Sequence, residues 1–336
     1  MKKIIITITI ILFAAMLTSC LNSGDANQKR GSSGKTLELL LVADKNVYSG
    51  SLKDSILDLF HKSRSGLNQE EQSFDVVNIP VSSLENADMF KAHRNIILIT
   101  IANTNRNVVR LAHDHWAQPQ VLFEFRLNSR DSVVPFLKRY MPTVKNEVYK
   151  CEHARIKRIF RGIENHNLMQ KMRDNFGFEI TVSNEYYLCN MNKNFAWLRK
   201  ETKDFSIGFI IHTKPYTKTG DFDQTTILDE LDSTMKSIPG PVDSSYMGTE
   251  RRVDAESQRV DFNGSYCVET RGLWRLIGKG FLGGPYVNYT ILTPDGENIV
   301  MITGYVQAPG KNKRDYLMQA ESICYTLRFT DKGIKK

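Results

Sequence analysis

Four short apolar runs in the first half of the chain constrain the fold more than any other feature of the sequence. Each run spans five to seven residues and contains at most one charged residue. Runs of this kind are typical of strands that are covered on both faces of a sheet. The four runs lie at 37–42, 73–79, 95–101 and 121–125.

Helical patterns lie between these runs. In two places apolar or aromatic side chains recur at spacings of three and four, which predicts helices with one buried face. The two sets are Leu52, Ile56, Leu59 and Phe60, then Val108, Leu111, His115 and Trp116. Because strand and helix alternate, we expect a layered α/β domain over residues 37–143.

From Phe178 onward the pattern changes to strands that follow one another directly. Three strands, a helix, three strands and a final helix predict an antiparallel sheet covered by helices over residues 175–330. This order is similar to the Mog1/PsbP-like fold, an analogy of topology that implies no function. The expected fold class is therefore α+β. The predicted strands are 179–188, 195–200, 205–212, 265–271, 286–293 and 298–307.

The stretch between the two domains, residues 144–174, is the most basic part of the chain. It carries eight Lys and Arg against four Asp and Glu and has the pattern of an amphipathic connecting helix. Two interpretations are open. The cations attract anionic lipid headgroups or another polyanion, or they are the solvated face of a helix.

The N-terminus has the pattern of an export signal. Lys2 and Lys3 precede an apolar run over 4–17, which is too short to span a bilayer comfortably. The run ends in Leu17-Thr18-Ser19-Cys20, which resembles the bacterial lipoprotein box. The resemblance implies a signal peptide over 1–19, a diacylglyceryl thioether on Cys20 and acylation of its amine, for example with palmitate. The alternative is an ordinary cleaved signal with an accidental cysteine.

The residues after Cys20 predict where the anchored protein lies. Residues 20–36 are polar and Gly/Ser-rich, so we expect a flexible tether. Leu21 follows the cysteine, and no acidic cluster comes directly after it. In the known lipoprotein sorting rules this resembles the pattern for delivery to the outer membrane, with the body on the periplasmic face. The chain has 45 Lys and Arg against 37 Asp and Glu, a modest excess that is spread out. The membrane is therefore the expected partner through the lipid, an envelope protein is a second candidate partner, and no nucleic-acid partner is expected.

The sequence offers little for a metal site or for disulfides. His113 and His115 are two residues apart, so on a helix they point to different sides and do not easily share one ion. We expect no metal and no other cofactor. Two interpretations of the four later cysteines are open, buried free thiols or two disulfides. These cysteines are Cys151, Cys189, Cys267 and Cys324.

Residues 269–286 have the most unusual composition and supply the candidate ligand site. Five glycines among cations and aromatic residues suggest a flexible loop for an anionic ligand. The alternative is a wide connection with glycines at positive φ. The candidate ligand-binding residues are Glu269, Arg271, Trp274, Arg275 and Lys279. No catalytic residue is assigned, because Ser245 in the other large loop has no nucleophile-elbow context.

Several segments together resemble a family of lipoproteins from the Bacteroidota that carry a domain of unknown function. The resemblance implies the lipid anchor and the phylum and implies no active site. We therefore expect a membrane-anchored periplasmic lipoprotein that binds or assembles and is not an enzyme. The alternative is a hydrolase or a small-anion-binding protein that uses the loop 269–286, with Glu269 as acid or base. The segments are 66–71, 195–202, 238–241, 269–274, 281–286 and 308–316.

Overall fold

Residues 29–330 are described here by a computed structural model, in which two sheets define two domains. Cys20, the predicted signal peptide and the first part of the predicted tether lie outside the described residues. The last part of the tether lies against the N-terminal domain, because Gly31 pairs with Gln118 and Ser33 pairs with His93. No helix within 29–330 is long and apolar enough to cross a membrane.

The N-terminal domain is built on a five-stranded sheet in the order β2-β1-β3-β5-β4. All neighbouring strands are parallel except β4, which runs antiparallel to β5. Apolar side chains lie on both faces of the sheet, as the continuous runs predict. The elements are β1 (Glu38–Val42), α1 (Gly50–His61), β2 (Asp75–Ile79), α2 (Val81–Asn86), α3 (Asp88–Lys91), β3 (Asn95–Ile101), β4 (Val108–His113), β5 (Val121–Leu127) and α4 (Val133–Phe160).

The helix predicted around 108–116 is wrong, because this segment forms the edge strand β4. Val108 and Leu111 are at helical spacing, but they pair across the sheet with Arg126 and Phe123. The strand is largely open to solvent, and its backbone groups are satisfied by pairing with β5. The spacing of apolar residues carries no information about such pairing. His113 therefore ends a strand and its ring contacts the Glu147 carboxylate at 2.8 Å.

The predicted connecting helix over 144–174 is divided into two elements. Residues up to Phe160 form the second half of α4, which packs on the N-terminal sheet. Gly162 then adopts a left-handed φ of 87°, a conformation that other residues rarely adopt, and the helix stops. A separate helix, α5 (His166–Phe176), begins with Asn165, whose side chain accepts the Leu168 backbone N–H.

The C-terminal domain contains a long antiparallel sheet in the order β10-β12-β13-β14-β9-β8-β7, with β11 also paired to β12. The expected α+β class is confirmed. The strand predicted over 179–188 is instead two short strands with a loop between them, because its backbone pairs with two different partners. The elements are β6 (Phe178–Glu179), β7 (Tyr187–Met191), β8 (Phe195–Glu201), β9 (Ser206–Pro215), α6 (Gln224–Met235), β10 (Tyr246–Thr249), β11 (Glu256–Phe262), β12 (Ser265–Ile277), β13 (Gly283–Leu292), β14 (Asn298–Gln307), α7 (Arg314–Cys324) and β15 (Arg328–Phe329).

Helix α7 joins the two domains. It lies on the C-terminal sheet, and its Met318 side chain is buried in the apolar core of the N-terminal domain. The Glu71 carboxylate, from the loop before β2, accepts the backbone N–H groups of Lys313 and Arg314 at 2.7 and 2.9 Å. A carboxylate at this position satisfies N–H groups that the first turn of a helix leaves unpaired. The loop of one domain thus caps a helix of the other.

Candidate functional site in the interdomain cleft

A cleft of about 1230 Å³ lies between the two domains. One wall, called the α4 wall, consists of the cleft-facing side of α4 together with residues 62–67, and the other, called the β11 wall, is β11. Side chains of β12, β13 and α7 form the floor. On α4 the lining residues are spaced by four, which places them in one row along the helix. This row consists of Lys145, Tyr149, His153 and Lys157.

Strand register explains why the floor is polar. Gln258, Glu269 and Tyr289 occupy directly opposed positions on β11, β12 and β13, so their side chains share one face of the sheet. Arg271 is two residues beyond Glu269 on the same face. These groups lie under α7, where Glu321 also lines the cleft.

A buried network of ion pairs joins Arg64 to three floor residues, Glu269, Arg271 and Glu321. The Arg271 guanidinium donates to both carboxylate oxygens of Glu269, at 2.8 and 3.0 Å, and to Glu321 Oε1 at 2.8 Å. Arg64 of the N-terminal domain donates to the other oxygen of Glu321. Gln258 donates to Glu269 at 2.8 Å. Glu321 thus connects an arginine of each domain.

The network keeps its carboxylates ionised. Burial alone would raise the pKa of Glu321, but Arg271 and Arg64 outweigh it and lower the pKa to about 2. Burial is also the largest single effect on Glu269 and acts to raise its pKa, but Arg271 and Gln258 together outweigh it and lower the pKa. Both floor carboxylates are therefore charged at neutral pH, and their charges are balanced by the two arginines.

A tight approach of the two domains positions Arg64. Gly66, two residues further on, has a left-handed φ of 78°, and a Cβ atom there would lie 2.9 Å from Arg271 Cβ. Only glycine combines this conformation with this contact. The guanidinium of Arg64 also lies over the Tyr149 ring, 4.7 Å from its centroid.

His153 meets α7 at the inner end of the cleft. Its Nδ1 lies 3.0 Å from Ser322 Oγ, and its ring stacks on Tyr325 at 4.5 Å between centroids. Burial lowers the pKa of His153 to about 4, so the ring is neutral at neutral pH. The Ser322 hydroxyl donates to the Met318 carbonyl of its own helix at 2.7 Å, so the Nδ1 of His153 carries the proton in this contact.

The α4 wall carries positive charge that the network does not neutralise. Within residues 29–330, no carboxylate lies within 4 Å of the ammonium groups of Lys62, Lys145 or Lys157. Lys145 is half-buried, and burial together with Lys62 and Arg64 lowers its pKa. The opposite wall carries the acidic side chains of Glu256 and Asp261.

The structure separates the five predicted ligand-binding residues. Glu269 and Arg271 lie in the floor of the cleft. Trp274 is buried elsewhere and donates to the Val306 carbonyl at 3.0 Å, Arg275 lies 3.5 Å from the Glu250 carboxylate, and Lys279 is exposed at a turn. These three residues do not line the cleft.

The flexible loop expected over 269–286 is wrong, because most of the segment is the hairpin β12–β13 and only 278–282 forms the turn. Its glycines allow close strand packing as well as turning. A Cβ at position 284, for example, would lie 2.0 Å from the Val306 carbonyl oxygen. The Ser245 loop, near Leu276, is also separate from the cleft.

Sequence reasoning missed four important residues of the cleft, namely Arg64, His153, Tyr289 and Glu321. The spacing of four along α4 was a usable signal for His153. The other three are brought together by contacts between distant parts of the chain, and no local pattern marks them.

Metal and disulfide chemistry find no support in the described part of the chain. Residues 29–330 contain no group of three or more His, Cys, Asp or Glu side chains that could hold a metal ion. The four cysteines within this range are free thiols, of which Cys189 is half-buried and the others are buried. The structure therefore favours the free-thiol interpretation over two disulfides.

The fold and the cleft define a two-domain α+β protein, and family models match each domain. One, described as Domain of unknown function (DUF8532), matches residues 32–161, and the other, described as Domain of unknown function (DUF4837), matches residues 165–326. The matches meet at the turn between α4 and α5. They support the expected resemblance to a family of unknown function. No curated protein matches the chain.

The solved structures that the chain matches include a PsbP protein and a Mog1 protein, each with a TM-score under 0.5. CyanoP, the PsbP protein of Synechocystis sp. PCC 6803, is 13% identical with a TM-score of 0.32, over 46% of this chain and 86% of that chain. The Ran-binding protein Mog1p of Saccharomyces cerevisiae is 10% identical with a TM-score of 0.31, over 48% of this chain and 94% of that chain. LpqN, involved in cell envelope biogenesis of Mycobacterium tuberculosis, is 15% identical with a TM-score of 0.27, over 46% of this chain and 83% of that chain. At these identities the likeness concerns the fold alone.

Proposed function

We propose that the protein is a lipoprotein of the Bacteroidota cell envelope, anchored through Cys20 on the periplasmic face of the outer membrane, and that it binds a ligand in the interdomain cleft without transforming it. The observation that carries binding over catalysis is the state of Glu269. Its carboxylate is held by Arg271 and Gln258 and stays ionised. A general acid must carry a proton, and a general base must be free to take one.

The anchor is supported by the N-terminal sequence. The lysine start, the apolar run over 4–17 and Leu17-Thr18-Ser19-Cys20 together have the order of a lipoprotein signal. Two or more acyl chains on one residue suffice for stable anchoring, because each buried CH₂ contributes about 0.8 kcal/mol.

Membrane fractionation of cells that express Cys20→Ala tests the anchor. We expect the wild-type protein in the membrane fraction and the variant in the soluble fraction or retained as an unprocessed precursor of higher mass. Cys189→Ala is the matched control, because it removes a thiol from the C-terminal domain and leaves the signal unchanged. Membrane association and processing of Cys20→Ala identical to wild type would refute the lipid anchor.

A hydrolase is the second candidate function, and the contact between Ser322 and His153 is the observation that favours it. A serine hydroxyl 3.0 Å from an imidazole has the spacing of an activated nucleophile and its base, although here the Nδ1 of His153 carries the proton. Against this role, Ser322 is only 1% exposed and its hydroxyl already donates to the Met318 carbonyl. Turnover of an activated ester such as p-nitrophenyl acetate, if lost in both Ser322→Ala and His153→Ala, would favour the hydrolase.

A further inference from the structure

The floor of the cleft contains a polar group that no part of the described protein satisfies. The Tyr289 side chain is fully buried, lines the cleft, and has no hydrogen-bond partner for its hydroxyl within residues 29–330. Leaving a buried hydroxyl unpaired is costly, and most buried polar groups therefore have partners. An unpaired donor directly beneath the floor of a cleft is a group that a ligand can satisfy once it displaces the side chains that cover the hydroxyl.

The α4 wall supplies a second and independent indication. Lys62 and Lys145 have no carboxylate within 4 Å in residues 29–330, and Lys157 continues the same wall. Lys145 is half-buried, so its charge is only partly hydrated. Lys62 is exposed, but its charge acts on Lys145 and lowers the pKa of that ammonium group, so an anion placed between the two lysines removes a repulsion.

The distribution of acids shows on which side an anion is stable. Glu256 and Asp261 lie on the β11 wall, where they repel a negative group. Glu269 and Glu321 in the floor are each paired with arginine. The net positive side of the cleft is therefore the α4 wall.

We propose that the cleft binds a ligand that carries a phosphate or carboxylate group, with this group held by Lys62 and Lys145 on the α4 wall and with the Tyr289 hydroxyl donating to the same ligand. The inference rests on the proposed function, since it names the ligand class of the same cleft. The volume of about 1230 Å³ accommodates a ligand larger than the anionic group itself. The source of that group is either a free anion or the headgroup of a lipid.

Calorimetric titration of the full chain in detergent tests the proposal. The probes are inorganic phosphate, citrate and water-soluble dihexanoyl-phosphatidylglycerol. Binding of phosphate or citrate identifies a free anion, and binding of the short-chain lipid alone identifies a headgroup. We expect Lys145→Gln to weaken binding of the effective probe about tenfold, the loss of one charge-assisted hydrogen bond. Tyr289→Phe should weaken it about fivefold, because it removes a neutral hydrogen bond.

Two matched variants separate a ligand role from general effects of charge and packing. Lys138→Gln removes one positive charge from the exposed face of the same helix, outside the cleft. Tyr186→Phe removes another buried hydroxyl without a described partner, in the core of the C-terminal domain. Both controls should bind the probe as wild type does.

Two results would overturn the proposal. One is the absence of binding to all three probes, and the other is an affinity that Lys145→Gln and Lys138→Gln change equally. If Tyr289→Phe does not fold, the comparison of Lys145→Gln with Lys138→Gln still tests whether the anion binds in the cleft. Neither result touches the anchor, because membrane fractionation of Cys20→Ala is independent of the cleft. A failure of this inference and a failure of the lipid anchor are thus distinguishable.

Discussion

Two buried charge networks within residues 29–330 differ in what surrounds them. In the N-terminal domain, the Glu152 carboxylate accepts hydrogen bonds from Arg94, Asn95 and the Leu37 backbone N–H, all within one domain. At the interface, Glu321 is shared between Arg64 and Arg271, and the network opens onto a cleft. The first network fixes the start of β1 against α4. The second joins two domains and leaves room for a ligand.

The number of arginines decides the state of each carboxylate. Burial raises the pKa of Glu152, and its single arginine does not fully offset this cost. Glu321 has two arginine partners, which together outweigh a similar burial and lower its pKa to about 2. A buried carboxylate is thus favoured in its charged form where two domains each contribute a cation.

Replacing the shared carboxylate should have the largest effect on stability. Glu321→Gln leaves Arg64 and Arg271 buried without their common counter-charge, so we expect a loss of about 3 to 5 kcal/mol in the free energy of unfolding. Chemical denaturation measures this. Arg252→Gln removes an exposed cation that pairs with Glu250 and should change nothing measurable. A Glu321→Gln protein as stable as wild type would show that the interdomain network does not stabilise the fold as proposed.

The acid limb of the stability curve should depend on the same residue. The pKa of Glu321 is about 2 in the folded protein against an ordinary value of 4.5, so its contribution is complete above pH 4.5 and is lost as the pH falls toward 2. That contribution amounts to about 3 kcal/mol. The melting temperature of Glu321→Gln should therefore fall less than that of wild type as the pH decreases from 6 to 2. Parallel curves for variant and wild type would contradict the low pKa.

Removing the carboxylate of the other network should cost less. Glu152→Gln keeps an amide oxygen to accept the Leu37 N–H, and burial already disfavours the Glu152 charge, so we expect a loss of about 2 kcal/mol. Denaturation of this variant beside Glu321→Gln measures the difference. Equal or reversed losses would show that the number of arginine partners does not set the strength of a network.

The smallest effects are expected from the unpaired tyrosine hydroxyls. Tyr289→Phe and Tyr186→Phe each remove a buried hydroxyl without a described partner, so the free energy of unfolding should fall by less than about 1 kcal/mol or rise. Denaturation without ligand measures this. A large loss in Tyr289→Phe alone would indicate a structural partner and would weaken its role in the cleft.

The sequence predicts those strands correctly that are buried on both faces along their length. Predictions are wrong where the structure depends on contacts between distant parts of the chain. The continuous apolar run at Asn95–Ile101 predicts a strand, and the segment is β3, because both faces of the sheet are covered by apolar side chains. The segment around Leu111 has a helical spacing, yet pairing with β5 makes it a strand. Local patterns do not contain the partner of an edge strand.

The same limit applies to the site. An unusual local composition marks Glu269 and Arg271, but the loop expected around them is a hairpin. Their importance comes from Glu321, fifty residues away from Arg271. Arg64 and Tyr289 carry no local signal. The cleft is a product of the packing between two domains, and its chemistry is visible only once they are together.

Binding of an oxyanion between Lys62 and Lys145 can be observed by anomalous diffraction from crystals of the full chain soaked in tungstate, a heavy analogue of phosphate. We expect a tungsten peak in the cleft at a position from which tungstate oxygens lie within about 3 Å of the ammonium groups of Lys62 and Lys145, and a clearly weaker peak in Lys145→Gln crystals. Tungsten peaks only outside the cleft, or a cleft peak that Lys145→Gln leaves unchanged, would contradict the proposed anion site.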